Sequence, residues 1–152
     1  MTVYIGIDPG ADGAIALLAS DGRVMSITDM PPHAVTIREI LECVQADKYV
    51  AIEAQQAMPG QGVTSMFSLG QRYGLLTGLL IGLQIPFEPV RPQAWMRSLG
   101  IPPKSDKRAH VERALSLFPT AEVKGPRGGM KDGRADALLI AEFGRRTHGG
   151  TK

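Results

Sequence analysis

The sequence predicts an α/β fold in which a mixed five-stranded sheet, three strands antiparallel and two parallel, carries helices on both faces. Two observations predict it. Three short apolar runs, separated by turn signals, come before any stretch of helical periodicity. Two later apolar runs then alternate with helical stretches, a pattern typical of strands joined by helical crossovers.

The first three strands are predicted at residues 3–7, 14–19 and 23–28, where apolar residues alternate with small ones. Between the second and third runs, Ser20-Asp21-Gly22 is a hairpin turn signal in which Gly22 supplies the positive φ. A hairpin at this point makes the neighbouring strands antiparallel.

The remaining elements follow from periodicity and from proline and capping signals. We predict a helix at 35–45, a strand at 49–54, a helix at 65–84 and a strand at 87–90. Ser105 is a candidate N-cap for a helix that ends near Phe118, and a basic loop at 123–129 precedes a last helix at 135–146. Residues 147–152 are expected to be flexible.

Length and composition exclude several classes of protein. A chain of 152 residues is long enough to bury one core, so we expect a single domain over residues 1–152. With Cys43 as its single cysteine, the chain has neither a disulfide framework nor a cysteine-rich zinc site. No apolar run approaches the roughly 20 residues that a membrane span needs, so no membrane partner and a cytoplasmic location are expected.

Charge is divided unevenly along the chain, although the net charge is only +2. Residues 1–90 contain 4 Lys and Arg against 9 Asp and Glu, whereas residues 91–134 contain 10 against 4. The basic segment is either a surface that faces phosphates or an ordinary solvated face.

Acidic residues stand at the ends of two predicted strands, Asp8 at the first and Glu53 at the fourth. If these strands are parallel neighbours, the two carboxylates converge at the carboxyl edge of the sheet. Asp132 and Asp136 lie four residues apart and would share one face of a helix. Asp132 could instead be an N-cap and Asp136 a solvated first-turn acid, but the apolar sequence around Asp136 favours a partnered charge.

Several segments resemble one known family in order and spacing. "IGIDPG", "AIEAQ" and "DGRADALLIAEF" carry the acids, and "LGQRYGLLTGLL", "VRPQAWMRSLG" and "KSDKRAHVERALSLFP" lie between them. Together they are similar to the RuvC Holliday junction resolvases of the ribonuclease H-like superfamily, in their phage-borne form. The resemblance covers nearly the whole chain. It implies a ribonuclease H-like sheet and a homodimeric, metal-dependent endonuclease that resolves four-way DNA junctions in a bacterial or phage-infected cell, without a small-molecule cofactor.

The resemblance also implies roles for the acids. Asp8, Glu53, Asp132 and Asp136 would be catalytic metal ligands, because clustered carboxylates need a countercharge that two ions can supply. Oxygen ligands suit Mg²⁺, with Mn²⁺ able to substitute. Gly6 and Gly10, which lack side chains, would let the DNA backbone approach.

Basic residues are expected to contact the phosphates of DNA. Lys107 best matches the lysine with which the family neutralises the scissile phosphate. Where the family has a second lysine, this chain has "QAWMRS", and Arg97 is the substitute. Further phosphate contacts are predicted for Arg91, Lys104, Arg108, Lys124, Arg127 and Lys131. Trp95 is interpreted as core packing rather than a base-stacking platform, and no role is assigned to His33, His110 or His148.

Gly70, Gly74, Gly78 and Gly82 recur at every fourth residue of one predicted helix. Each glycine costs a helix close to 1 kcal/mol relative to alanine, so close packing should offset it. The partner is either the sheet or a second copy of the chain, and in a homodimer two active sites would face a junction of matching symmetry.

Three alternative functions remain open at this point. A flap or fork endonuclease with relaxed structure selectivity uses the same acids, and a non-catalytic binder of branched DNA shares the fold. "GIDPG" also resembles the first phosphate motif of sugar kinases and actin-like ATPases, but those proteins need a second domain that 152 residues do not provide.

Overall fold

The computed structural model of the chain describes residues 1–150, which form five strands and five helices. The strands are β1 (Thr2–Asp8), β2 (Ala14–Ala19), β3 (Val24–Asp29), β4 (Asp47–Glu53) and β5 (Phe87–Val90). The helices are α1 (Ala34–Glu42), α2 (Val63–Gly82), α3 (Pro92–Ser98), α4 (Lys107–Leu117) and α5 (Asp132–His148). All five strands and four of the helices were predicted within a few residues.

The strands form one mixed sheet in the order β3-β2-β1-β4-β5. β1 pairs antiparallel with β2, and β2 with β3, whereas β1–β4 and β4–β5 are parallel. The predicted fold class is therefore confirmed. Ile7 pairs with Ile52, and Asp8 and Glu53 each follow this pair by one residue, so both acids lie at the same edge of the sheet.

Alternation along the strands separates two apolar layers. Val3, Ile5 and Ile7 of β1 face one layer, which is completed by α1 and α2. Tyr4 and the following even-numbered residues of β1 face the opposite layer, formed by α3, α4 and α5. This parity directs Asp8 towards the α5 layer, and Glu53 of β4 follows Ala51 to the same side.

Gly6 allows α5 to lie directly against β1. A Cβ atom at this position would collide with the backbone of Ala137 and Ala141. The expectation that Gly6 lets DNA approach is thus wrong, since α5 occupies that space. Gly10 differs: its amide donates a 3.0 Å hydrogen bond to Oδ1 of Asp8.

Helix α3 was not predicted. No element was predicted for "PQAWMRS", in which Pro92 stands in the first turn of the helix, where its missing N–H costs nothing. The N-cap of α4 is Asp106 rather than Ser105, because Oδ1 of Asp106 accepts a 3.1 Å bond from the Ala109 amide.

Helix α5 is longer than predicted at both ends. It begins at Asp132, after Lys131 in the N-cap position, so Asp132 is a first-turn residue and not an N-cap. It continues to His148, two residues into the segment for which the sequence predicted flexibility. Residues 151–152 of that segment lie outside the described residues.

The glycines of α2 face away from the sheet. Leu76 and Leu80 are buried against it, whereas a Cβ at any of the four glycine positions would meet no atom within 4 Å. The alternative in which the glycines pack on the sheet is therefore wrong. We call this surface, formed by Gly70, Gly74, Gly78 and Gly82, the glycine face.

Within residues 1–150, none of the helices combines the length and apolar character required to cross a membrane.

Candidate active site

Three segments that are distant in sequence bring the predicted acids together. Asp8 ends β1, Glu53 ends the adjacent strand β4, and Asp132 and Asp136 lie in the first turns of α5. Because α5 packs directly on β1 at Gly6, its N-terminal turns reach the edge of the sheet at which Asp8 and Glu53 stand. The structure thus groups all four acids that the sequence singled out.

Asp8 is held in a half-buried position among like charges. Burial raises its pKa from 3.8 to about 6, opposed by the hydrogen bond from Gly10. The neighbouring carboxylates of Asp136 and Asp132 contribute to this rise in pKa, and Lys107 opposes it. Asp8 therefore holds a proton more readily than an ordinary carboxyl until a positive charge arrives.

Glu53 responds in the same way. Burial raises its pKa from 4.5 to about 7, and the charges of Asp8 and Asp136 add to the effect. Two hydrogen bonds act in the opposite direction, from Trp95 Nε1 to Oε2 at 3.1 Å and from Gln55 Nε2 to Oε1 at 3.3 Å. Asp8 and Asp136 are thus close enough to Glu53 for their charges to act on it.

Each acid of α5 contacts a cationic or imidazole side chain of α4. Lys107 Nζ lies 2.7 Å from Oδ2 of Asp132, and His110 Nδ1 lies 2.6 Å from Oδ1 of Asp136. Both contacts raise the pKa of the α4 side chain, and in each case the hydrogen bond to the aspartate is the largest cause. Asp136 is thus a partnered charge, as its apolar sequence context predicted.

Trp95 and His110 are the site residues that sequence analysis missed. Trp95 belongs to the core, as predicted, but its indole N–H also binds Glu53, 42 residues away in the chain. The partner of His110 is 26 residues away. Neither spacing follows a motif, so only the fold reveals these contacts.

The start of α5 is fixed by the loop after β1 and by the end of β3. Gly133 packs against the carbonyl of Asp12, where a Cβ would collide. Arg134 Nε donates a 2.6 Å bond to Asp29, and Lys131 lies 3.2 Å from the other oxygen of the same carboxylate. These contacts hold Asp132 beside Asp8.

The donor set suits a hard divalent cation. Within residues 1–150, no three His, Cys, Asp or Glu side chains converge tightly enough to bind one metal ion by themselves. Two of the four carboxylates contact Lys107 and His110 instead of a common centre. Mg²⁺ is usually held by only one or two carboxylates, with water and substrate phosphates completing its shell. Half-buried carboxylates with raised pKa values need such a countercharge, so the residues present fit the ion.

All eight predicted phosphate contacts are exposed. Arg91 and Arg97 line a cleft of about 690 Å³ that begins at Glu53 and is shared with Gln55, Gln56 and Gln93. Lys107 reaches Asp132, Arg108 pairs with Glu112 on its own helix, and Lys131 pairs with Asp29. Lys124 lies with Lys131 along a second cavity, while Lys104 and Arg127 stand in exposed loops.

Comparisons with known proteins support the fold. No protein-family model matches the chain, and no curated protein matches it. Among solved structures, Thermus thermophilus RuvC in complex with a Holliday junction substrate matches with a TM-score of 0.69 and 18% identity, covering 96% of both chains. A second Thermus thermophilus RuvC structure matches with a TM-score of 0.66 and 17% identity, covering 95% of this chain and 96% of the other.

These similarities span nearly the full length of both proteins. They show that the chain has the ribonuclease H-like fold of RuvC, as the motif resemblance implied.

Proposed function

We propose that this protein is a metal-dependent endonuclease that resolves four-way DNA junctions by paired phosphodiester hydrolysis. The observation that supports it most directly is the meeting of Asp8, Glu53 and Asp136 from β1, β4 and α5 in one half-buried cluster. Four acids on a surface that contacts the phosphates of DNA would repel the DNA unless bound cations neutralise their charge. The fold shared with a RuvC–junction complex makes branched DNA the substrate to test.

In this proposal Asp8, Glu53, Asp132 and Asp136 hold two Mg²⁺ ions, for which Mn²⁺ can substitute. When bound, such a pair supplies a nucleophilic water at neutral pH and stabilises negative charge on the leaving oxygen. The chain's own contribution is to hold the carboxylates: Gly10 fixes Asp8 through a backbone bond, and Trp95 fixes Glu53 through its indole.

Lys107 is proposed to contact the scissile phosphate. Its side chain is 74% exposed while its ammonium lies 2.7 Å from Asp132, so it stands at the rim of the acidic cluster. A cation in this position attracts the phosphate and offsets the charge that develops on it. Arg91 and Arg97 extend the positive surface along the cleft beside Glu53. They would orient the strand rather than act in the chemistry.

The direct test incubates the protein with synthetic four-way, three-way and flapped DNA, in Mg²⁺ and in EDTA. Symmetric paired nicks in the four-way substrate, abolished by EDTA, are the expected result. Cuts confined to flaps would identify the rival flap endonuclease, and binding without cleavage in either metal would identify a non-catalytic binder.

Asp8→Asn tests the assignment of the cluster. Losing one metal ligand should reduce cleavage by more than the about 10–100-fold that an outer-shell change typically costs. Junction affinity in EDTA should be retained, because the substitution removes no cation that could contact phosphate. Asp47→Asn, at the exposed start of β4, is the matched control and should cleave normally. Full activity in Asp8→Asn would refute the assignment.

We also propose that the protein acts as a homodimer through the glycine face of α2. On a helix of 3.6 residues per turn, Phe67, Ile81 and Val63 lie on the same side as the four glycines. Phe67 and Ile81 are each 67% exposed, so an apolar patch with a flat centre is open to solvent. Glycines at such a centre allow two backbones to approach closely.

Sedimentation analysis of Phe67→Asp tests the dimer. A charge next to the glycine face, on the same side of α2, should shift a dimeric protein to monomer, whereas Val35→Asp, on another exposed apolar residue, should not. A wild-type monomer at the concentrations that support paired nicking would contradict the proposal.

A further inference from the structure

Two aromatic side chains each contact one acid of the cluster. Trp95 of α3 donates from Nε1 to Oε2 of Glu53 at 3.1 Å. His110 of α4 has Nδ1 2.6 Å from Oδ1 of Asp136. The acids themselves stand on β4 and α5, so four different elements meet through two polar contacts.

The two aromatic rings also contact each other. Trp95 and His110 pack edge to face, with ring centroids 5.5 Å apart and an interplanar angle of 81°. Glu53, Trp95, His110 and Asp136 therefore form one continuous chain of contacts. A shift of either ring would move both carboxylates.

Both rings are held by the core. Trp95 is 1% exposed and packs in the α5 layer, and the His110 side chain is 12% exposed. Nε2 of His110 is buried, with no hydrogen-bond partner among the described residues. The only polar contact of this imidazole is thus directed at Asp136, which is what a dedicated support for that acid requires.

The chemistry of the two groups suits support rather than ligation. Indole has an N–H donor and no lone pair for a metal. His110 presents a donor at Nδ1 both as the imidazolium and as the Nδ1-protonated neutral ring, so the contact is kept in either state. Each ring contacts one carboxylate oxygen, and the other oxygen of Glu53 accepts a longer bond of 3.3 Å from Gln55 Nε2.

We propose that Trp95 and His110 are positioning residues that fix the spacing of Glu53 and Asp136 before metal and DNA bind. The inference rests on the proposed function, since it assigns these acids to a metal site. Groups that orient metal ligands from behind typically account for a 10–100-fold difference in metal affinity or activity.

The test measures Mn²⁺ affinity directly, alongside cleavage. Trp95→Phe keeps the ring but removes the donor, and His110→Leu fills the space without a donor. Both should weaken Mn²⁺ binding about 10–100-fold while junction affinity in EDTA stays within about twofold. His110→Asn, whose amide can donate from nearly the place of Nδ1, should recover most of the loss. His33→Asn, on an exposed histidine at the N-cap of α1, should bind and cleave like the wild type.

Trp95 is the only tryptophan, so its indole N–H gives a single resonance in a ¹H–¹⁵N spectrum. Mg²⁺ should shift this resonance in the wild-type protein, and His110→Leu should weaken that response, although residue 110 does not contact Glu53. Equal Mn²⁺ affinity in wild type, Trp95→Phe and His110→Leu would overturn the proposal, as would a resonance indifferent to Mg²⁺. A metal response without cleavage of any DNA would instead refute the proposed nuclease and leave the positioning role supported.

Discussion

The two longest helices, α5 and α2, lie on opposite faces of the sheet and use small residues in opposite ways. Nine of the 17 residues of α5 are buried, against two of the 20 in α2. α5 directs Gly133, Ala137 and Ala141 inward and approaches the sheet closely. α2 turns its glycines outward and packs through Leu76 and Leu80.

This difference separates two tasks. The acids on α5 must be placed accurately relative to Asp8 and Glu53, and a helix pressed against β1 by backbone contact gives them a fixed position. α2 carries none of the four acids. Its outward surface is open to solvent, so under the proposed function the two faces of the sheet would divide chemistry from assembly.

Gly6→Ala should have the largest effect, because it disrupts the close contact between α5 and β1. The added methyl would meet the α5 backbone, which cannot yield as a flexible side chain would. We expect a loss of about 3 kcal/mol in the free energy of unfolding, measured by urea denaturation. Gly129→Ala, at a glycine with open space around it, is the control and should change little. An unchanged midpoint in Gly6→Ala would show that α5 does not lie so close to β1.

The second prediction concerns the acids that α5 and the sheet hold together. Asp8 and Glu53 have pKa values of about 6 and about 7, against 3.8 and 4.5 in an ordinary environment. The native state therefore binds more protons than the unfolded state between about pH 4 and pH 7. Stability without metal must fall as pH rises through this window.

Urea denaturation in EDTA at several pH values checks this sign. We expect the wild-type protein to lose about 2 kcal/mol more than Asp8→Asn between pH 4 and pH 8, because the variant lacks the carboxyl whose ionisation is opposed by burial and by the neighbouring acids. Mg²⁺ should restore stability at the upper end of the range. A metal-free protein that becomes steadily more stable towards pH 8 would contradict the clustering of the acids.

Features of the structure that arise from neighbouring residues can be predicted from the sequence, whereas contacts between distant segments cannot. The strands carrying Asp8 and Glu53 follow from local alternation, and their meeting follows from the rule for parallel edges. Asp136 was found because an acid in an apolar helix needs a partner. The identity of that partner, His110, depends on how α4 crosses α5 and has no local signal.

The same limit explains the errors. The sequence around Gly6 does not show whether this glycine faces a helix or a phosphate. Only the position of α5 shows that it faces a helix. Helix α3 has only seven residues, too few for a clear helical periodicity, and was not predicted, although Pro92 is compatible with a first helical turn. The four-residue spacing of the α2 glycines predicts a face but not the direction in which it points.

Arg134→Ala tests how the start of α5 is anchored. Arg134 is largely buried, bonds Asp29 at 2.6 Å and donates to the Glu122 carbonyl at 3.1 Å. Its loss leaves the more exposed Lys131–Asp29 pair to tie the start of α5 to β3. We expect a destabilisation of about 1.5 kcal/mol in thermal or urea unfolding. Arg38→Ala breaks the exposed Arg38–Glu42 pair of α1 and should cost less than about 0.5 kcal/mol. Equal effects of the two changes would mean that the anchor adds nothing beyond a surface ion pair.

Gly78→Ala should change the free energy of unfolding least, and it should stabilise the protein, whereas Gly6→Ala destabilises it. A Cβ at residue 78 meets no atom within 4 Å, so alanine brings only its better helix propensity. At concentrations where the protein is monomeric, we expect a gain of about 0.5–1 kcal/mol in the free energy of unfolding.

Measuring the dimerisation of Gly78→Ala tests whether the glycine face of α2 is the dimer interface. If two copies pair through the glycine face, the methyl that stabilises each monomer should weaken the dimer, because the backbones can no longer approach as closely. Sedimentation equilibrium and dilute urea denaturation should therefore move in opposite directions for Gly78→Ala. A gain in both would place the dimer contact elsewhere, since a glycine that tolerates a methyl in the dimer is not at a close backbone crossing.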